Sequence, residues 1–114
     1  MPPKRNPLNL NPLQLKTLTL LQELARIAGT PAGEDDPGGV AISELPHAHG
    51  DHFHLGEAVV ATRDASGLRN PSVWAALERK GLIRSRLPDA VVLTQAGQQY
   101  ETGLRDAILH RAEH

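Results

Sequence analysis

The stretch PSVWAALERKGLIRSRLPDAVVLTQAG, residues 71–97, decides the fold. Asn70-Pro71 in front of it is a helix start: asparagine caps, and the fixed φ of proline suits the first helical position. Val73, Trp74 and Leu77 fall on one side, so a helix from Pro71 to about Lys80 is predicted, with Gly81 as its stop. Leu82–Leu87 reads as a strand, Pro88-Asp89 as a tight turn and Ala90–Leu93 as a returning strand. Thr94 then caps a last helix from Gln95 to about Arg111, with Tyr100, Leu104 and Ile108 at i, i+4 and i+8.

Upstream, Asn11-Pro12 repeats the start signal. Leu15, Leu18, Leu21 and Ala25 form one helical strip, Leu20, Leu24 and Ile27 an adjacent one, and Gly29 ends the helix. So wide an apolar face predicts burial on two sides, against the rest of the chain or a second copy. Residues 29–39 (GTPAGEDDPGG) form a loop, and Val40–Leu45 a short strand or turn. Phe53 and Leu55 alternate with His52 and His54, the pattern of a strand with one buried and one wet face. Gly56–Ala65 is expected to be a second helix and Ser66-Gly67 a turn. The first ten residues are expected to be a flexible arm, and residues 11–114 a single domain, which suits a 114-residue chain.

Hydrophobic residues make up 39% of the chain, enough for a modest core, but the aromatics are only Phe53, Trp74 and Tyr100. The core must come from Leu, Val, Ile and Ala, which favours helices over a β-sandwich. The absence of cysteine removes disulfides, thiolate metal sites and thiol nucleophiles, and fits a reducing, cytoplasmic setting. Neither a bilayer-spanning run nor a signal peptide is expected.

The segment VWAALERKGLIRS followed by LPDAVVLTQAGQQYE resembles winged-helix regulators of the MarR and PadR type. The residues that carry the resemblance are Leu77, Lys80, Gly81, Leu82 and Ile83, then Leu93, Thr94 and Gly97. Gly67, Leu68 and Val73 match the glycine turn and following apolar positions of the helix-turn-helix. The resemblance covers roughly the second half of the chain. It implies a mainly α fold with a small β-hairpin (α+β), a winged helix-turn-helix, acting as a DNA-binding transcriptional regulator on double-stranded DNA as a homodimer. The first helix and the Tyr100, Leu104, Ile108 face would supply the dimer surfaces, unless they cover each other in a monomer.

The net charge is −1, yet residues 63–88 carry six cations (Arg63, Arg69, Arg79, Lys80, Arg84, Arg86) against Asp64 and Glu78. That local +4 is either a phosphate-contact footprint or ordinary solvated surface. The resemblance implies DNA contacts from Arg63, Arg69, Asn70, Ser72, Arg79, Arg84 and Arg86. Arg69 and Asn70 would face bases or phosphates, and Ser72 with the free N–H groups of the helix N-terminus would hold a phosphate. Ala75 and Ala76 read base edges poorly, so one copy should discriminate sequences weakly. Trp74 is expected in the core.

His47, His49, Asp51, His52 and His54 fall within eight residues. HAHGDH is similar to the HxHxDH motif of metallo-β-lactamase-type hydrolases, but the later ligand motifs are missing and the chain is too short for that fold, so an enzyme is not expected. A non-catalytic site for zinc or another divalent transition metal stays open beside a plain polar loop, with His52 and His54 at i, i+2 sharing one ion. A winged-helix protein-interaction module without DNA binding remains the other reading, favoured by the mild charge and the alanine-rich third helix.

Overall fold

The computed structural model describes residues 6–34, 36–43, 45, 50–86 and 90–111, with the side chains of Arg86 and Arg111 excepted. It is an α+β fold. Helix α1 (Pro12–Ala28) opens with a capping box: Asn11 Oδ1 accepts from the Gln14 N–H at 2.8 Å, and Gln14 Oε1 accepts from the Asn11 N–H at 3.0 Å. Leu18, Leu20, Leu21 and Leu24 are buried, each contributing about 1.5–3 kcal/mol of transfer free energy, while Ile27 emerges to solvent. The chain continues as β1 (Thr30–Pro31), β2 (Val40–Ile42), β3 (His52–Leu55) and β4 (Ala58–Ala61). A 3-10 helix, Thr62–Arg69, leads to α2 (Pro71–Arg79), β5 (Ile83–Arg86), β6 (Ala90–Leu93), α3 (Gln95–Gln99), α4 (Arg105–Ile108) and β7 (His110–Arg111).

Two antiparallel sheets result, with strand orders β1-β2-β6-β5 and β3-β4-β7. Helix α1 packs on the 3-10 helix, α2, β2, β6, β3 and α3, so the core forms around it. The first sheet turns Ile42, Ile83, Val91 and Leu93 inward. The second turns Phe53, Leu55 and Val60 inward and leaves His54 exposed, as the alternation requires.

Helix α2 and the paired strands β5 and β6 fall where the sequence puts them, while Leu87 and the expected Pro88-Asp89 turn lie outside the described residues. After α2 the Gly81 N–H bonds to the Glu78 carbonyl at 3.0 Å and the Leu82 N–H to the Leu77 carbonyl at 3.0 Å. This is a Schellman turn, with Gly81 at φ +78° and Leu82 buried against the core. Thr94 Oγ1 accepts from the Gly97 N–H at 3.0 Å, and the Thr94 N–H donates to the Leu82 carbonyl at 3.1 Å, so one residue starts α3 and closes the hairpin.

Two expected helices are corrected. Residues 56–65 are not a helix. Gly56-Glu57 is a two-residue hairpin loop with Gly56 at φ +59°, β4 pairs Val59 with His54 and Val60 with Phe53, and Ser66-Gly67 lies inside the 3-10 helix rather than in a turn. The last helix does not run from Gln95 to Arg111. It breaks after Gln99 because tertiary bonds claim the next residues: the Tyr100 hydroxyl bonds to Asn6 Oδ1 and accepts from the Leu8 N–H, and Thr102 Oγ1 lies 2.7 Å from Thr19 Oγ1. Gly103 then takes φ +72°. The strand content accordingly exceeds the small hairpin expected.

Asn6–Leu10, expected to belong to the flexible arm, are tied into the fold by these bonds, by the buried Leu10 and by Lys80 Nζ, which donates to the Leu8 carbonyl at 2.7 Å. The two apolar faces expected to meet a second copy are largely used within the chain: Leu18 and Leu21 of α1 and Ile108 are buried, and Tyr100 is half-buried. No helix among the described residues is long and apolar enough to cross a membrane.

Buried Glu23 on α1 holds the C-terminal segment. Its carboxylate is bonded by Arg26 and lies 3.1 Å from Arg105 Nη1. The Arg26 hydrogen bond, aided by the Arg105 charge and opposed by burial, holds the carboxyl below its ordinary value of 4.5. A lowered folded-state value contributes stability that is full above the unfolded value and fades as pH falls through the folded one. Glu23→Gln is therefore expected to cost about 1 kcal/mol near neutrality, a figure held down by the solvent exposure of both arginines. The gap between the two proteins' urea midpoints should close progressively below pH 4.5; a gap independent of pH would refute the pairing.

Candidate nucleic-acid interface

The surface proposed from sequence is built on the 3-10 helix, α2 and β5. Helix α2 buries Val73, Ala76 and Leu77 and turns Pro71, Ser72, Ala75, Glu78 and Arg79 to solvent. Arg63 and Arg69, from the 3-10 helix that feeds α2, are also exposed. Arg63, Arg69, Ser72 and Arg79 thus share the surface of these two consecutive elements.

The remaining predicted contacts stand apart. Asn70 Oδ1 accepts from the Ser72 N–H at 2.9 Å, so its oxygen caps α2. The Val73 N–H bonds to the Asn70 carbonyl at 3.1 Å, and Pro71 has no N–H. The first three residues of α2 therefore present no free backbone N–H, so of the expected phosphate cradle at this helix end only the exposed Ser72 hydroxyl remains. Arg84 is exposed, but its Nε lies 2.7 Å from Oδ1 of Asp36, whose side chain is only 7% exposed. Residues 29–39, expected to be all loop, carry β1 at Thr30–Pro31, and the connection from β1 to β2 folds back onto β5 through Asp36. Strand alternation sets Arg84 on the opposite face from Ile83 and Ser85, and it is the Ser85 N–H that meets Glu78 Oε2 of α2, at 3.3 Å. Arg84 therefore leaves the sheet on the face opposite the buried Ile83. Lys80 is committed to the Leu8 carbonyl. The side chain of Arg86 lies outside the described residues.

Sequence reasoning missed a groove beside α2, about 430 Å³ in volume, lined by the apolar Leu45, Leu68, Pro71 and Trp74 and by Arg69, Asn70, Glu78 and Ser85. Pro71, Trp74, Ala75 and Glu78 are the helical i, i+3, i+4, i+7 positions, and that spacing was the available signal. Trp74 is half-buried against the core, as expected, and its Nε1 has no hydrogen-bond partner among the described residues.

Of the five metal-ligand candidates, His47 and His49 lie outside the described residues. Asp51, His52 and His54 come together at the start of β3, with Asp51 Oδ1 3.3 Å from His52 Nδ1 and the two imidazole centroids 4.9 Å apart. His110 faces the same side of this sheet, because Val59 of β4 pairs with both His54 and His110. Among the described residues no three side chains are arranged to hold a metal ion, so a closed shell drawn from Asp51, His52 and His54 is not formed.

No family model matches the chain, and neither does any curated protein or solved structure.

Proposed function

We propose that this chain is a winged-helix DNA-binding module with weak sequence discrimination. The order of α1, β2, the 3-10 helix, α2, β5 and β6 supports the reading, with β2 and β5 flanking β6, the two-helix corner and hairpin of that architecture. The observation that carries it is the exposed set Arg63, Arg69, Ser72 and Arg79 on the helical corner, where a duplex backbone would be met. Affinity then comes from phosphates, since Ala75 offers a base edge only a methyl contact and Asn70 is occupied with its cap.

Fluorescence anisotropy with a labelled random duplex at low salt tests this. Binding is expected to weaken with salt, and Arg63→Ala with Arg79→Ala should flatten the log–log salt slope by about 2, near 0.9 for each phosphate no longer neutralised. Arg84→Ala, at a cation already bound to Asp36, should have the smaller effect. Absence of binding at low salt, or a slope untouched by the double variant, would overturn the proposal.

The second reading, a winged-helix module that binds protein instead, is favoured by one feature: the groove along α2 presents an indole and aliphatic walls beside Arg69, Asn70 and Glu78, a mixed apolar and polar lining of the kind that takes a peptide side chain.

A further inference from the structure

We propose that the 3-10 helix, Thr62–Arg69, is a rail for one DNA strand, on which Arg63 and Ser66 hold two successive phosphates; this rests on the DNA-binding reading and adds to it where the backbone runs. In a 3-10 helix the side chains at i and i+3 eclipse, so its residues fall into three straight rows parallel to the axis. Each row here has a different surrounding. Thr62, Ala65 and Leu68 form one, and Ala65 and Leu68 are buried in the core. Asp64 and Gly67 form the second, turned to α1: Asp64 Oδ1 lies 2.9 Å from Lys16 Nζ, and Gly67 leaves no room for a Cβ beside Thr17. Arg63, Ser66 and Arg69 form the third, and all three are exposed.

The spacing of the outer row matches a nucleic-acid backbone. At about 2.0 Å of rise per residue, successive members of a row stand about 6 Å apart. Neighbouring phosphates of one B-form strand lie about 6–7 Å apart, the axial step of about 3.4 Å being lengthened by the turn of the strand around the axis. Arg63 offers a guanidinium to one phosphate and Ser66 a hydroxyl donor to the next, both side-chain types that hold DNA backbones. Arg69, which has an interaction of its own within the chain, ends the row. An α-helix over the same residues would not keep the row straight, because its i, i+3 positions wind around the axis.

The fold prepares the row in advance. A 3-10 run of 8 residues exceeds the usual length of about three or four, and it persists here because two of its three rows are committed to α1 and the core. The one acid of this helix, Asp64, is paired with Lys16 on the α1 side, off the outer row. Binding therefore needs no reordering of the backbone, which lowers its entropic cost.

Salt-dependent fluorescence anisotropy of the intact protein with a random duplex tests the rail by adding charge to it. Ser66→Arg, at an exposed position within the row, should steepen the log–log salt slope by about 0.9, the value for one more neutralised phosphate. Glu57→Gln changes the net charge by the same amount in the exposed hairpin loop at the far end of β4, and should leave the slope unmoved. Two duplexes with equal numbers of neutral methylphosphonate linkages then read the spacing, one with the neutral linkages alternating along both strands and the other with them in contiguous blocks. The parent protein should bind the block duplex several-fold tighter, because the alternating one has no two adjacent charges, and Ser66→Ala should lose that preference. Circular dichroism checks that each variant folds. If the parent binds duplex, the rail alone is overturned by a slope that Ser66→Arg leaves unchanged or that Glu57→Gln shifts as much, by equal affinity for the two duplexes, or by a preference that Ser66→Ala retains. Failure of the parent to bind any duplex at low salt would sink the DNA-binding reading and the rail together.

Discussion

Gly97→Ala is expected to destabilise the protein by about 3–5 kcal/mol, in the range reserved for severe core strain. Alanine at a helical position ordinarily stabilises by up to about 1 kcal/mol over glycine, so the sign of the change is itself diagnostic. Gly97 lies in the first turn of α3, capped by Thr94, with its backbone laid against the end of the hairpin. A Cβ there would collide with the Leu82 carbonyl oxygen and sit 2.7 Å from Leu93 Cδ1. That oxygen cannot retreat, because it accepts the Thr94 N–H at 3.1 Å and lies 3.0 Å from Thr94 Oγ1, the bonds that join β6 to the Gly81 turn. Leu93 is fully buried and has nowhere to go. Urea unfolding monitored by Trp74 fluorescence measures the change, and a midpoint equal to or above that of the parent protein would show that α3 does not pack this closely.

Gly67→Ala should also destabilise, by about 2–3 kcal/mol of overpacking, but by a route that a second substitution opens. The 3-10 helix crosses α1 at Gly67, and a Cβ there would overlap the hydroxyl of Thr17 and lie 3.2 Å from its Cβ. Here the obstacle is a side-chain oxygen rather than backbone. Thr17 is fully buried and donates to the Leu13 carbonyl at 2.8 Å, a bond that α1 does not need for its own ladder. Thr17→Ala removes the obstructing oxygen. In a double-mutant cycle the Gly67→Ala/Thr17→Ala protein should therefore be more stable than the sum of the single changes predicts, with a coupling of about 1–2 kcal/mol. Additive effects would mean that the two helices are not in contact at these residues.

The elements that could be read from sequence are those whose signals are local. Asn11-Pro12 and Asn70-Pro71 set the starts of α1 and α2, Gly81 sets the stop of α2, and Thr94 restarts the chain, each through a backbone rule that acts over four residues. The errors arose where a distant partner decided. Gly56–Ala65 holds enough alanine and polar residues to pass for a helix, but Gly56-Glu57 is a hairpin loop, and Val59 and Val60 gain more by pairing with His54 and Phe53. Tyr100, Leu104 and Ile108 keep helical spacing, yet the bonds of Tyr100 to Asn6 and of Thr102 to Thr19 break that helix in two, and only the Thr102-Gly103 dipeptide hinted at it. The candidate DNA surface was legible as a charge count and not as geometry. Counting placed Lys80 and Arg84 with the other cations, while folding commits one to a backbone carbonyl and the other to Asp36. The pairing of His52 with His54 followed directly from period-two alternation.

The partners that residues 97–105 provide for α1 and for the segment before it set a timetable for biosynthesis. Thr19 meets a hydroxyl 83 positions later, and Leu8 meets the Tyr100 phenol 92 positions later. A ribosome adding about 5–20 residues per second emits α1 on the order of ten seconds before those groups exist. Throughout that interval the Glu23 carboxylate and the Thr19 hydroxyl wait for partners, so packing around α1 is completed only after residues 97–105 have left the ribosome.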